Sequence, residues 1–109
     1  MSVVDVNKID GIANSDDGKT LFLLIADDLD WNREYDHLIQ LQSKVNAYIG
    51  FLENQQYKEI YPNQSFNKFF IEIHFMIAPT PACTKFIDVM NKQLAPQNIH
   101  VIAQESDNQ

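Results

Sequence analysis

Glu72 and His74 lie two residues apart in a run, Phe69 to Ile77, that alternates large apolar residues with others. An extended chain turns every second side chain to the same face. This carboxylate and this imidazole therefore project together, and the carboxylate can orient the ring and tune its proton affinity. His100, in the last β-prone run, is expected on a nearby strand, which makes Glu72, His74 and His100 the candidate catalytic set for general acid–base chemistry. The competing reading is an ordinary polar pair on a solvent-facing sheet, favoured because no nucleophile accompanies it. Cys83 is the only thiol. It falls near the start of a helix, where the dipole can depress a thiol pKa. It also heads an apolar stripe with Phe86, Ile87 and Met90, the pattern of an inert buried cysteine.

Asp27, Asp28, Asp30, Glu34 and Asp36, interrupted by the single base Arg33, form the densest charged cluster. Hard cations take several carboxylate oxygens, but this stretch has no glycine at the sixth position of a calcium loop and no closing glutamate at the twelfth. His37, His74 and His100 lack the paired His or Cys spacing of a zinc site. Gly11, Gly18 and Gly50 are too scattered to cradle a phosphate. Neither a metal nor a cofactor is expected.

Charge points instead to recognition. Nine of the fifteen acidic residues fall within the first thirty-six positions against three basic ones, so this segment carries six of the seven net negative charges. Such a field speeds encounter with a basic partner and repels nucleic acid and anionic membrane. Helix capping accounts for one or two of these acids at about 0.3 to 1 kcal/mol each, and solvation for others. If the cluster is a docking surface, its residues are Asp27, Asp28, Asp30, Glu34, Tyr35 and Asp36, with Tyr35 as an aromatic anchor. Trp31 is expected to pack in the core.

The elements that must position these groups follow from period and punctuation. Lys8 to Ala13 and Thr20 to Ala26 read as two strands joined by the turn-rich Asn14-Ser15-Asp16-Asp17-Gly18-Lys19. Asp30 is placed to N-cap a helix over residues 31 to 57, with Trp31, Tyr35, Leu38, Leu41, Val45, Ile49 and Leu52 on one stripe. The alternating run Phe69 to Ile77 is the clearest strand. Thr80-Pro81 opens a second helix that Pro96 stops, and Ile99 to Ala103 is the last strand. The order ββαβαβ predicts an α+β, two-layer sandwich: a mixed four-stranded sheet with two helices on one face. At 109 residues this is a single domain, 1–103, followed by a flexible acidic tail, 104–109. A single cysteine, no leader-like N-terminus and no long apolar run make the cytoplasm the expected compartment. The uncovered sheet face would carry Phe70, His74, Met76 and Ile102, the expected interface of a homodimer or of a heterologous partner.

Asn7-Lys8-Ile9-Asp10-Gly11, Asp28-Leu29-Asp30-Trp31, Leu41 to Ile49, Tyr57 to Pro62 and Ile71-Glu72-Ile73-His74-Phe75 together resemble a small bacterial family catalogued only as a domain of unknown function, over residues 7 to about 100. The resemblance implies a bacterial, cytoplasmic setting and assigns no catalytic residue. In size, acidity and α+β make-up the chain is also similar, at the level of class, to immunity proteins that neutralise antibacterial toxins. The sequence reading is thus a non-enzymatic module that binds a basic protein, such as a toxin. The alternatives are a small homodimeric enzyme using His74 and Glu72, or a structural assembly subunit.

Overall fold

Residues 3–105 are described in the computed structural model of the chain. Leu21, Leu23 and Ile25 are fully buried and alternate with half-buried Phe22, Leu24 and Ala26 along the strand β2, Thr20–Asp27. The strand β1, Gly11–Asn14, pairs with it antiparallel. In the connecting turn Gly18 takes a φ of +70°, the left-handed conformation that glycine adopts without strain. The chain continues through helix α1, Glu34–Glu53, strand β3, Lys68–Phe75, helix α2, Pro81–Leu94, and strand β4, Ile99–Glu105. The sheet order is β1-β2-β3-β4, with β2, β3 and β4 parallel. Both helices cover the face that carries Leu21, Leu23, Ile25, Ile71, Ile73, Phe75, Ile99 and Val101, which makes the expected mixed-sheet α+β sandwich. No helix among the described residues is long and apolar enough to cross a membrane.

Several boundaries move. Helix α2 begins as expected, with the Thr80 hydroxyl accepting from the Cys83 N–H at 3.2 Å and Pro81 in the first turn. Helix α1 does not. Asp30 folds back on its own loop, accepting from the Asn32 backbone N–H at 3.0 Å, and the helix starts at Glu34 after Arg33, whose side chain makes no capping hydrogen bond. Local side-chain to backbone bonding of this kind competes with helix initiation. Strand β4 runs through Glu105, so residues 104 and 105 belong to the sheet, and the rest of the expected tail, 106–109, lies outside the described residues.

The buried face of α1 is also not the purely apolar stripe that period predicts. It comprises His37, Leu41, Lys44, Val45, Tyr48 and Leu52, whereas Leu38 and Ile49 sit at its margins and Tyr35 is 75% exposed. Lys44 Nζ donates to the carbonyls of Asp5 at 2.5 Å and Lys8 at 2.8 Å and to Asp10 Oδ1 at 3.1 Å, using all three of its hydrogens. The other Asp10 oxygen accepts the Ala26 N–H at 2.9 Å, while the Tyr48 hydroxyl accepts from the Asp10 N–H and donates to the Leu24 carbonyl. Asp10 and Tyr48 thus complete the outer edge of β2 where the short β1 stops.

Breaking such a buried ion pair from one side leaves a desolvated charge, at a cost of about 3–5 kcal/mol. Lys44→Met should destabilise the protein by that amount in urea unfolding, because it strands Asp10 and two carbonyls. A loss within about 0.5 kcal/mol, typical of surface substitutions, would show that Lys44 does not hold the N-terminal segment.

Candidate functional site

Ligand sites on parallel sheets lie beyond the carboxyl ends of the strands. Here β2 and β3 end side by side at Asp27 and Phe75, which are paired in register. The alternation that buries Leu21, Leu23 and Ile25 turns Asp27 inward as well, so its carboxylate lies beneath α1 and is 2% exposed. Asp27 therefore does not belong to the exposed acidic set expected from the sequence. His37, from the first turn of α1, meets it: Nε2 is 2.6 and 2.8 Å from the two carboxylate oxygens, and Nδ1 is 3.0 Å from the Asp30 carbonyl. The Trp31 ring stacks on His37 at 3.6 Å, tilts against Phe75, and donates its indole N–H to the Ile77 carbonyl at 3.3 Å. Burial pushes the Asp27 carboxyl above its ordinary range, and the hydrogen bond from His37 opposes that rise.

Around this buried pair the exposed side chains form an entrance. Asp28, Asp30, Arg33, Asp36 and Gln40 line a cleft of about 360 Å³ whose wall includes an edge of His37. Arg33 is tied to Asp36 at 2.6 Å, an exposed i,i+3 pair of the kind that contributes little stability. Half-buried Glu34 and exposed Tyr35 stand on the same first turn of α1. Of the residues expected to bind a partner, Asp28, Asp30 and Asp36 line this cleft with Asp27 buried beneath, whereas Glu34 and Tyr35 are not among its lining residues.

The alternative catalytic set is assembled only in part. Glu72 and His74 share a face, 3.5 Å apart, with His74 exposed and Glu72 half-buried. His100 stands opposite Phe70, and His74 opposite Gln104, an offset of four residues or roughly 13 Å along the strands. His74 lines only an open depression of about 210 Å³ with Ala26, Asp28 and Met76 among its neighbours. The Cys83 thiol is buried and pushed up to about 12 by burial and by the negative charges of Asp27 and Glu34, the reverse of what a nucleophile needs. Among the described residues, no three His, Cys, Asp or Glu side chains converge as a metal-holding group.

On the open sheet face, Phe22, Phe70 and His100 form a ladder across three strands, with ring centroids 5.4 and 5.2 Å apart. Ile102 lies on that face, and Met76 projects past the end of β3 at 60% exposure.

Sequence reasoning missed His37, Lys44, Tyr48 and Asp10 as structural groups. Two signals pointed to His37 and its partner Asp27, and none to the other three. Asp27 continues the buried phase of β2, and His37 stands one turn before Leu41 on the helical face that carries Val45 and Leu52.

No curated protein and no solved structure matches the chain. A family model does match, over residues 1–107, and on that match the chain belongs to the family of unknown function DUF6572.

Proposed function

We propose that the protein is a non-enzymatic binding module whose entrance between β2 and α1 docks a basic protein surface. The observation that carries this reading is the charge balance at the cleft. Asp28, Asp30 and Asp36 surround it, and its one cation, Arg33, is already engaged by Asp36. The surplus negative field would steer a cationic partner and mask its charged groups, while Tyr35 supplies an exposed aromatic side chain on the first turn of α1. The most concrete form of this reading is an immunity or antitoxin protein that neutralises a basic toxin in a bacterial cytoplasm. Such a partner would use its cationic groups to hold phosphate, and covering them would silence it. The enzyme alternative loses support because Glu72, His74 and His100 do not converge.

A partner isolated by affinity capture should associate more slowly with the double variant Asp28→Lys, Asp36→Lys, with most of the loss in the association rate. The wild-type rate should itself fall with salt, as screening shortens the Debye length to about 10 Å at 0.1 M. An association rate indifferent to both salt and charge reversal would place recognition elsewhere.

A second copy on the open sheet face is a companion proposal, favoured by the ladder of Phe22, Phe70 and His100. Phe70→Glu should convert a wild-type dimer to monomer in sedimentation while leaving circular dichroism intact. A wild type that sediments as monomer at micromolar concentration would end this reading.

A further inference from the structure

A neutral imidazole carries hydrogen on one nitrogen and offers a lone pair from the other. His37 has acceptors at both ends. The Asp30 carbonyl, 3.0 Å from Nδ1, can only accept, so Nδ1 must carry a hydrogen. A neutral ring would then present the Nε2 lone pair to a carboxylate oxygen 2.6 Å away, in a site from which water is excluded. The contact needs one further hydrogen, either on Nε2 or on the Asp27 carboxyl, and both placements have the same proton count.

We infer that Asp27 and His37 form a proton-linked latch: the folded protein holds one proton between them, and its loss frees the entrance between β2 and α1. Asp27 ends β2 and His37 lies in the first turn of α1, so the pair closes a loop of nine residues that carries Asp28, Asp30 and Trp31. Once the proton leaves, Nε2 and the carboxylate repel and the Trp31 stack loses its base. The bond from the Leu29 N–H to Asp27 Oδ1 goes with the side chain. The bond from the Met76 N–H to the Asp27 backbone carbonyl does not depend on it, so the strand ends remain joined while the loop opens.

The surrounding charges favour keeping the proton. Asp28, next along the chain, raises the proton affinity of Asp27. Arg33 is engaged by Asp36 at the mouth of the cleft. Glu34 on α1 adds negative charge, and from α2 the Cys83 thiol, which feels both Asp27 and Glu34, is held in its neutral form. Asp30 adds a further negative charge from the loop, His74 on β3 is the basic group that lines the depression beside Asp27 and Asp28, and Phe75 on β3 and Val4 in the N-terminal segment bring no ionisable side chain. The sign of the linkage follows. Burial raises the folded-state proton affinity of Asp27, so the stabilisation from the shared proton is lost as pH rises through the raised value.

The consequence for a docked partner, affinity that changes as the latch opens, rests on the proposed function. The latch itself can be tested without a partner, because Trp31 is the only tryptophan in the chain and is stacked on the ring in question. In a titration of the full chain from about pH 5 to about pH 10, Trp31 emission should show a single one-proton step at unchanged far-ultraviolet circular dichroism. Exchange of the Leu29 amide should accelerate above the step. The step should be absent in Asp27→Asn, and the urea midpoint of the wild type relative to that variant should fall as pH rises. If the variant does not fold, nitrogen-15 spectra of wild-type His37 at neutral pH decide: hydrogen on Nδ1 supports the latch. Flat emission across the range, a step of the same midpoint in Asp27→Asn, or a His37 ring protonated only on Nε2 would each overturn it.

Discussion

Strand alternation leaves Asp27 no choice of direction. With Leu21, Leu23 and Ile25 in the buried phase of β2, the next residue of that phase must also point beneath α1, and an isolated carboxylate there would be costly to desolvate. The fold meets this constraint by bringing His37 onto it from the following helix, 2.6 Å away, and by closing the pair with the Trp31 ring. The start of α1, the path of the β2–α1 loop and the placing of Asp28, Asp30 and Asp36 around one cleft all follow from where that contact must form. The entrance is consequently held by buried groups, and its exposed acids need contribute nothing to stability.

The same economy of polar contacts runs along α1. His37, Lys44 and Tyr48 all lie on its buried face, and each satisfies groups on a different part of the chain: the β2–α1 loop, the segment before β1, and the outer edge of β2. None of the buried side-chain nitrogen or oxygen atoms among the described residues lacks a partner. The far edge of the sheet is treated in a similar way. Asn91 of α2 donates to the Val101 carbonyl at 2.9 Å and accepts from the Val101 N–H at 2.7 Å, standing in for a neighbouring strand on the open side of β4. An edge closed by a side-chain amide is a poorer template for pairing with another chain. The sheet face with Phe22, Phe70 and His100 is the side that the two helices leave uncovered.

The layout of elements was legible because it depends on apolar period and turn chemistry. The alternation around Ile71 and Ile73, the Thr80-Pro81 helix start and the Gly18 turn are local signals, and each element formed close to where those signals place it. The interior of α1 was not legible in the same way. Period counts apolar side chains, and here half of the buried face is polar, made tolerable by partners such as the Asp5 and Lys8 carbonyls that lie more than thirty residues away. The candidate site was readable only in part as an exposed acidic cluster: Asp28, Asp30 and Asp36 line the cleft, whereas Asp27 belongs to the sheet's buried side and Glu34 is half-buried. The Glu72 and His74 pairing followed from alternation, but the position of His100 depends on strand register, which no local pattern encodes.

The claim on which most rests is that Asp27 and His37 act as a coupled unit rather than as two residues that happen to be near each other. A double-mutant cycle measures this directly, with Asp27→Asn, His37→Gln and the double variant compared in urea unfolding at neutral pH. Residues in one buried network show interaction energies of about 0.5–3 kcal/mol, and for this pair a coupling of about 1 kcal/mol or more is expected, with the double variant less destabilised than the sum of the single ones. Losses that add to within about 0.3 kcal/mol would mean that the contact does not hold the entrance in place.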